Sequence, residues 1–162
     1  NVKYGLYDFS KNDFDQVNNF GEIYNYINNK CDSKFDTIMM LNTIHNAFPN
    51  YKALQNNINK FSNKTSNIII RYLDRDLFNI AFSENNIDLN SYGFIKRLSN
   101  NKININFNWC HDRGNIEYIV SKNDLLDLFS KFEIIYEEDK IIKNNIPNIE
   151  KYFNCFKTII FN

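Results

Sequence analysis

The segment Phe35-Asp-Thr-Ile-Met-Met-Leu41 is a nearly continuous apolar run, and a second run of this kind follows at Asn67-Ile-Ile-Ile-Arg-Tyr-Leu73. Such runs are typical of parallel strands that are covered on both faces. Between them, after a turn at Pro49-Asn50, apolar residues recur at helical spacing: Tyr51, Leu54, Ile58 and Phe61. The order strand, helix, strand predicts a right-handed parallel crossover with both strands buried.

Two further elements are predicted upstream of this unit. Asn1 to Asp8 alternates large side chains and stops at an acidic residue, which predicts a short strand that runs into a loop. Between Phe20 and Ile27 the apolar residues fall on one face of a helix. The upstream part therefore continues the alternation of strands and helices.

Downstream, the pattern changes to short extended segments. A short helix is predicted from Asp76 to Phe82, and three segments suited to antiparallel pairing follow it: Gly93 to Leu98, Ile103 to Phe107 and Asn115 to Val120. Trp109, which follows the second of these segments, is interpreted as a core residue. We find no linker or domain boundary, so residues 1–162 are expected to form a single domain.

The last part of the chain is predicted to begin with a helix at Ser121-Lys-Asn-Asp. Strand-like Phe132 to Tyr136 follows, and Phe156 to Phe161 is expected to add a final edge strand. Between them, Glu137-Glu138-Asp139 is interpreted as a solvated turn. A parallel α/β part would therefore end in antiparallel strands.

Composition and charge exclude several classes of protein. The 162 residues contain 19 basic and 19 acidic side chains, so the chain lacks the basic field of a domain that binds nucleic acid over its whole surface. Any RNA contact is therefore expected to be local. The three cysteines, Cys31, Cys110 and Cys155, have no CxxC spacing, which favours reduced structural thiols over a disulfide framework or zinc site. The apolar runs are too short to span a bilayer.

Four segments carry a resemblance to a known enzyme family. Lys3-Tyr-Gly-Leu-Tyr-Asp8-Phe-Ser is similar to a strand whose terminal Asp lies beside the adenine of S-adenosylmethionine, and Phe35-Asp-Thr-Ile-Met-Met-Leu-Asn-Thr-Ile-His45-Asn-Ala-Phe48 resembles a strand and turn ending in Gln-Phe-x-x-His-Tyr-x-Phe. Ile70-Arg-Tyr-Leu-Asp74-Arg-Asp76 is similar to Thr-Thr-x-Asp-Gly-Asp. Ile116-Glu117-Tyr118-Ile-Val-Ser-Lys-Asn-Asp124 resembles Glu-Tyr-x-[IV]-x-x-x-[DE], in which the Glu and Tyr hold the cap guanine. In this order the segments resemble the mRNA cap guanine-N7 methyltransferases of large DNA viruses.

The resemblance implies a fold, a function and partners. The fold would be α/β, a Rossmann-like S-adenosylmethionine-dependent methyltransferase sheet, parallel with antiparallel C-terminal strands, of which this chain is the second half and the N-terminal part is missing. The intact protein would transfer a methyl group from S-adenosylmethionine to the guanine cap of viral mRNA, in the host cytoplasm or virion, and this segment alone would be inactive. Its partners would be the capped 5′ end of mRNA and other capping-enzyme domains or a stimulatory subunit, with no membrane.

The resemblance also implies five binding residues, no catalytic residue and no metal ligand. Glu117 could accept from N1–H and from the exocyclic amine of guanine, His45 could bond the O6 edge, and Tyr118 could lie against the methylated purine. Asp8 and Leu41 are assigned to the cofactor. Glu117 is expected at the rim of a pocket that faces His45 across the carboxyl edge of the sheet. Methyl transfer to N7 needs no general base, because that atom already carries a lone pair.

Departures from the family keep other hypotheses open. Leu41, Asn42 and Asn46 stand where the family has Gln, Phe and Tyr, and the glycine-rich cofactor loop would lie upstream of Asn1. The alternative is a non-catalytic methyltransferase-like subunit that binds and stabilises a capping partner, and a third hypothesis is a small-molecule methyltransferase that shares only the sheet. For single residues an ordinary structural role is also open: Asp8 could simply cap a turn.

Overall fold

The computed structural model describes residues 8–16, 35–44, 48–109 and 114–162, with the backbone alone at residues 63–65. Within these ranges the chain forms a mixed α/β fold with two four-stranded sheets. The predicted fold class, with parallel strands followed by antiparallel strands, is confirmed. The first seven residues of the strand predicted from Asn1 to Asp8 lie outside the described residues, and so do the helix predicted at 20–27 and the residues Cys31, His45, Asn46 and Cys110.

Most of the predicted elements form close to their expected bounds. In chain order the elements are β1 (Phe35–Leu41), a 3-10 helix (Phe48–Asn50), α1 (Tyr51–Phe61), β2 (Ser62–Leu73), α2 (Arg75–Ala81), β3 (Asn86–Asp88), a second 3-10 helix (Asn90–Tyr92), β4 (Gly93–Ser99), β5 (Lys102–Phe107), β6 (Asn115–Tyr118), α3 (Lys122–Leu128), β7 (Ile134–Glu137), α4 (Asn148–Asn154) and β8 (Phe156–Phe161). The sequence patterns did not predict β3 or α4.

The first sheet has the strand order β1-β2-β8-β7. β1 and β2 are parallel and are joined through α1, as predicted, whereas β8 is antiparallel to both of its neighbours. The prediction that Phe156 to Phe161 forms an edge strand is wrong, since β8 lies between β2 and β7. The reason is that β8 carries the buried Ile159 and Phe161, while the shorter β7 leaves Ile135 exposed and takes the edge of the described sheet.

One face of the first sheet forms a hydrophobic core with α1 and α3. Its residues come from three strands and two helices: Ile38, Met40, Ile68, Ile70, Ile159, Phe161, Leu54, Ile58, Leu125 and Phe129. On the opposite face of β1, Met39 is 61% exposed and Leu41 48%. The prediction that β1 is covered on both faces is therefore wrong for the described residues, because α1 and α3 pack on the same face.

The second sheet is an antiparallel meander of β3, β4, β5 and β6, as predicted for its last three strands. Its inner face packs on α2 and α4 through a second core: Ile87, Ile95, Ile103, Ile105, Leu77, Phe78 and Tyr152. Gly93 opens β4 with φ of 127°, and an added Cβ would lie 2.0 Å from the carbonyl oxygen of Asn106. The close approach of β4 to β5 therefore requires glycine at this position.

Asp74 links β2 to α2. Its carboxylate is buried, accepts from the backbone N–H of Leu77 at 2.8 Å and accepts from the hydroxyl of Tyr72 at 2.9 Å. The first bond is an N-cap, which satisfies one of the free N–H groups at the start of a helix. Asp74 of the third resembling segment therefore has a structural role.

Backbone hydrogen bonds tie the second sheet to the carboxyl end of β2. The N–H of Val120, just after β6, donates to the carbonyl oxygen of Leu73 at 3.0 Å, and Arg75 N–H donates to Val120 at 3.0 Å. Because β2 ends at Leu73, these bonds hold β6 at the carboxyl edge of the parallel pair.

The acidic run that follows β7 is not a solvated turn, so that interpretation is wrong. Glu137 ends β7, and its carboxylate accepts from the ammonium groups of Lys122 and Lys157. These bonds lower the pKa of Glu137. Glu138 accepts from the N–H of Thr158 at 2.9 Å, so the acids join β7 to α3 and β8.

Candidate functional site

The carboxyl ends of β1 and β2 form the edge at which a ligand is expected. Ligands of open α/β sheets bind outside the carboxyl ends of the strands. Just after β1, Asn42 adopts φ of 57°, and its N–H donates to the carbonyl oxygen of Arg71 at 2.9 Å. Leu41 precedes this turn and is partly exposed. The second sheet reaches the same edge through Val120.

Glu117 is the acidic side chain that β6 turns toward the second core. It pairs with the buried Ile103 across the β5–β6 ladder and is half-buried. The hydroxyl of Tyr152 donates to Glu117 Oε2 at 3.0 Å. Burial raises the pKa of Glu117, and the Tyr152 hydrogen bond opposes that rise. The result is a partly desolvated carboxylate with a fixed orientation, which suits a ligand that offers two parallel N–H donors.

Tyr152 itself comes from α4, which the sequence analysis missed. It is buried, and its pKa is raised by burial and by the charge of Glu117. Its ring meets Phe107 edge-on at 6.0 Å between centroids. The sequence signal for this helix was Pro147 just before it, followed by Ile149 and Tyr152 at helical spacing.

Tyr118 lies on the other face of β6. It pairs with Lys102, whose ammonium nitrogen is 5.6 Å from the centroid of the Tyr118 ring. Successive side chains of a strand point to opposite faces. The structure therefore does not bring Glu117 and Tyr118 together, although the sequence assigns both to one guanine.

Asp8 lies at the opposite end of the first sheet from Leu41. Its carboxylate accepts from the N–H of Ser10 at 2.9 Å and from the Ser10 hydroxyl at 2.6 Å, which is a turn-capping arrangement. The side-chain amide of Asn57 on α1 donates to the carbonyl oxygens of Phe9 and Lys11. The Phe9 ring lies 5.9 Å from the Phe61 ring, measured between centroids. Phe61 leads directly into β2, so this loop lies at the amino edge. The structure thus does not bring together the two residues assigned to the cofactor.

The predicted pocket between His45 and Glu117 stays a prediction. His45 lies outside the described residues, while Ile44 before it is buried in the first core. The role of each assigned residue in binding also remains a prediction.

Trp109 is not a core residue, so that interpretation is wrong. It is 58% exposed, stacks on Phe107 at 4.4 Å and meets Tyr92 edge-on at 6.1 Å. The physical reason is its position beyond the last β4–β5 pair, Gly93 with Phe107, where the second core has ended.

The described residues contain no group of three or more His, Cys, Asp or Glu side chains that could hold a metal ion. Cys155 is buried, and burial raises the pKa of its thiol to about 12, in keeping with a structural role. In the described part of the chain, no helix is both long enough and apolar enough to cross a membrane.

Comparison with known sequences gives a match over part of the chain. No family model matches the sequence. The tRNA modification GTPase MnmE of Mycoplasma mobile (strain ATCC 43663 / 163K / NCTC 11711) is 33% identical over 101 residues, which cover 62% of this chain and 21% of that protein. The present chain therefore spans about a fifth of MnmE. It contains no Gly-x-x-x-x-Gly-Lys-[Ser/Thr] segment of the kind that binds nucleotide phosphates in P-loop GTPases.

Several solved structures align with most of the chain, and three of them illustrate the likeness. PH0226 of Pyrococcus horikoshii OT3 has a TM-score of 0.49 and 14% identity, and the alignment covers 81% of this chain and 52% of that one. An S-adenosylmethionine-dependent methyltransferase of Clostridium acetobutylicum ATCC 824 has a TM-score of 0.43 and 11% identity, with 81% and 59% covered. The glycopeptide N-methyltransferase MtfA, complexed with S-adenosylmethionine, has a TM-score of 0.42 and 12% identity, with 80% and 58% covered. The chain thus spans little more than half of each.

Proposed function

We propose that the intact protein is an S-adenosylmethionine-dependent methyltransferase that acts on N7 of the guanine cap of viral mRNA. Two lines support the proposal. The first is the resemblance of four segments, in order along the chain, to the viral cap methyltransferases. The second is the structural observation that carries it: the Glu117 carboxylate, which the resemblance assigns to guanine, is half-buried and oriented by Tyr152.

Glu117 would select guanine through its two oxygens. Ionised, it would accept from N1–H and the exocyclic amine, and both bonds are strong because the acceptor carries a charge. Adenine N1 carries a lone pair and no hydrogen, so it could not donate to the carboxylate, and one of the two hydrogen bonds would be lost. The Tyr152 hydroxyl would keep the carboxylate in one orientation before the guanine arrives, which lowers the cost of ordering on binding.

Of the two residues assigned to the cofactor, only Leu41 lies where a cofactor is expected. At the carboxyl edge, the exposed Leu41 could contact S-adenosylmethionine, which would supply the methyl group there. Asp8 does not fit beside it, because its carboxylate is bonded within its own turn at the amino edge. The contribution of Glu117 would be to orient the guanine, since an attacking nitrogen with a lone pair needs position more than a base.

A methylation assay on the intact protein tests the proposal. RNA with an unmethylated guanine cap would be incubated with methyl-labelled S-adenosylmethionine and digested, and the labelled nucleoside identified. We expect the label in 7-methylguanosine, and no label on RNA with an adenine cap. We expect Glu117→Gln to lower kcat/KM by an amount that corresponds to about 1–3 kcal/mol of lost transition-state stabilisation, the range for a bidentate base contact. Glu133→Gln, an exposed matched control, should keep full activity. Label at another position, or full activity of Glu117→Gln, would contradict the proposal.

A second candidate is a non-catalytic subunit that stabilises a capping enzyme. It is favoured by the apolar side chains that β1 exposes on its uncovered face, Met39 and Leu41. Exposed apolar patches mark interaction sites. Titration of the intact protein with S-adenosylmethionine separates the candidates. Binding supports the enzyme, whereas no binding, together with co-purification of a capping enzyme that Met39→Asp abolishes, supports the subunit.

A further inference from the structure

We propose that the outer face of the second sheet binds the single-stranded RNA that follows the cap. The outer face is the side of β4, β5 and β6 turned away from α2 and α4. Its residues include Phe94, Lys96, Lys102, Asn106, Ile116 and Tyr118. The identity of the RNA as capped mRNA rests on the proposed function.

The outer face follows from the register of the three strands. Phe94 pairs with Asn106, Lys96 with Asn104, and Lys102 with Tyr118. Every alternate residue of β4 and β5 turns inward to the second core, so these side chains must point outward. Phe94 is 47% exposed and Ile116 49%, which shows that no helix of the described chain covers this face.

The side chains of the outer face suit nucleobases. Phe94 and Tyr118 offer aromatic rings on which unpaired bases can stack without regard to sequence. The Lys102 ammonium nitrogen lies 5.6 Å from the centroid of the Tyr118 ring. If the ammonium group turned from the ring to a phosphate, a base could stack on Tyr118 next to that phosphate. Asn106 adds an amide group on the same face.

The charge of this face is complementary to phosphate. On β4, β5 and β6 the outward positions carry two lysines, Lys96 and Lys102, and no acidic residue, although the whole chain has equal numbers of basic and acidic side chains. Asp88 on the neighbouring β3 pairs with Phe94 and adds one negative charge at the margin of this face, so lysines there exceed acids by two to one. This local basic surface favours RNA over a second copy of the chain, which would bring lysines against lysines.

The position of β6 connects this face to Glu117. β6 is the last strand in the order β3-β4-β5-β6. Glu117 and Tyr118 are consecutive on it and point to opposite faces, so a nucleotide chain could pass around this edge. A guanine held by Glu117 would therefore be followed by nucleotides that reach Tyr118 and then Phe94.

Fluorescence anisotropy with the intact protein tests the inference. The probes are a labelled, uncapped oligouridylate of about fifteen nucleotides, long enough to span one nucleic-acid-binding fold, and the cap analogue GpppG. We expect the double variant Phe94→Ala, Lys96→Ala to bind oligouridylate at least about tenfold more weakly, with the salt slope reduced by about 0.7 for the lost lysine. GpppG binding should be unchanged. The control, Ile135→Ala with Lys143→Ala, replaces an exposed strand isoleucine and an exposed lysine elsewhere and should bind both probes like wild type.

The outcomes separate this inference from the proposed function. Equal oligouridylate affinity of wild type and double variant would overturn the inference, and so would a concentration-dependent dimer that the double variant abolishes without any loss of RNA binding. If neither the wild type nor the variants bind GpppG, but the double variant still binds oligouridylate more weakly than the wild type, the proposed cap function fails and the inference of an RNA-binding outer face is supported. The single variant Lys96→Glu changes an exposed side chain and does not disturb packing. It should also weaken RNA binding, so the test does not depend on the double variant being correctly folded.

Discussion

The two sheets differ in how their strands find one another. In the first, β2 pairs with β1, to which it is connected by α1, and also with β8 from the far end of the chain. Ile68 of β2 lies opposite Phe161 of β8. In the second, the four strands pair in the order in which they occur along the chain. The first sheet therefore depends on buried apolar side chains to set its register, and the second depends more on the turns that join its strands.

The sheets also differ in what their inner faces contain. The core of the first is built from apolar side chains and Tyr72. The inner face of the second includes Arg97, whose guanidinium lies 5.0 Å from the centroid of the Phe78 ring, and Glu117 beside Tyr152. Charged groups next to a core cost free energy unless they are bonded, and here Arg97 donates to Asn79 Oδ1 and to the carbonyl oxygen of Phe82, while Glu117 accepts from Tyr152. The first sheet therefore encloses an almost wholly apolar core, whereas the second holds bonded charged groups at the margin of its core.

The largest expected effect comes from the core of the first sheet. Ile70→Ala would leave a cavity at a fully buried position and should lower the free energy of unfolding by about 4 kcal/mol. Met39→Ala on the uncovered face of the same sheet should change it by less than about 0.5 kcal/mol. Urea unfolding followed by circular dichroism measures both. Similar losses for the two variants would show that both faces of this sheet are packed.

A smaller loss is expected where a turn fixes the second sheet. Gly93→Ala should lower the free energy of unfolding by about 3 kcal/mol, because the positive φ and the 2.0 Å approach of a Cβ to Asn106 combine backbone strain with overpacking. Gly114→Ala is the matched control: there the nearest backbone atom is the Ile105 carbonyl oxygen at 2.9 Å and φ is not positive, so the loss should be smaller. Equal losses in urea unfolding would contradict a special role for the turn at Gly93.

The smallest effect is the pH dependence of stability at Glu117. Its pKa is raised in the folded protein, so the folded state binds the proton more tightly, and stability falls as pH rises from about 4.5 through the raised pKa. Glu117→Gln removes this loss while keeping an acceptor for Tyr152. The variant should therefore melt at a higher temperature than wild type at pH 7, and the difference should shrink at pH 4. A variant that is less stable at pH 7 would show that the ionised carboxylate stabilises the fold.

The comparison also explains which parts of the fold could be predicted. The parallel β1–α1–β2 unit follows from apolar runs and helical spacing, and the capping box at Ser121 and Asp124 marks the start of α3. The interior position of β8 could not be read from its own sequence, because strand order depends on which distant edge is available. Trp109 was misassigned for a related reason: hydrophobicity predicts burial only where the core extends.

The candidate site could be predicted only in part. The Glu117-Tyr118 pair was found by its resemblance to a motif, but a motif does not show that consecutive strand residues point to opposite faces. Tyr152, which orients Glu117, lies far away in sequence and meets it only after α4 has packed on the second sheet. Asp8 and Leu41 were grouped by analogy, whereas the loop of Asp8 is bonded to α1 at the other end of the sheet.

Calorimetric titration of the intact protein with the cap analogue GpppA at pH 7 tests the central claim most directly. If Glu117 reads the guanine edge, Glu117→Gln should bind the analogue more weakly by about 1–3 kcal/mol. Tyr118→Phe, on the opposite face, and the exposed control Glu133→Gln should bind it like wild type. Equal affinity of Glu117→Gln and wild type would contradict the account.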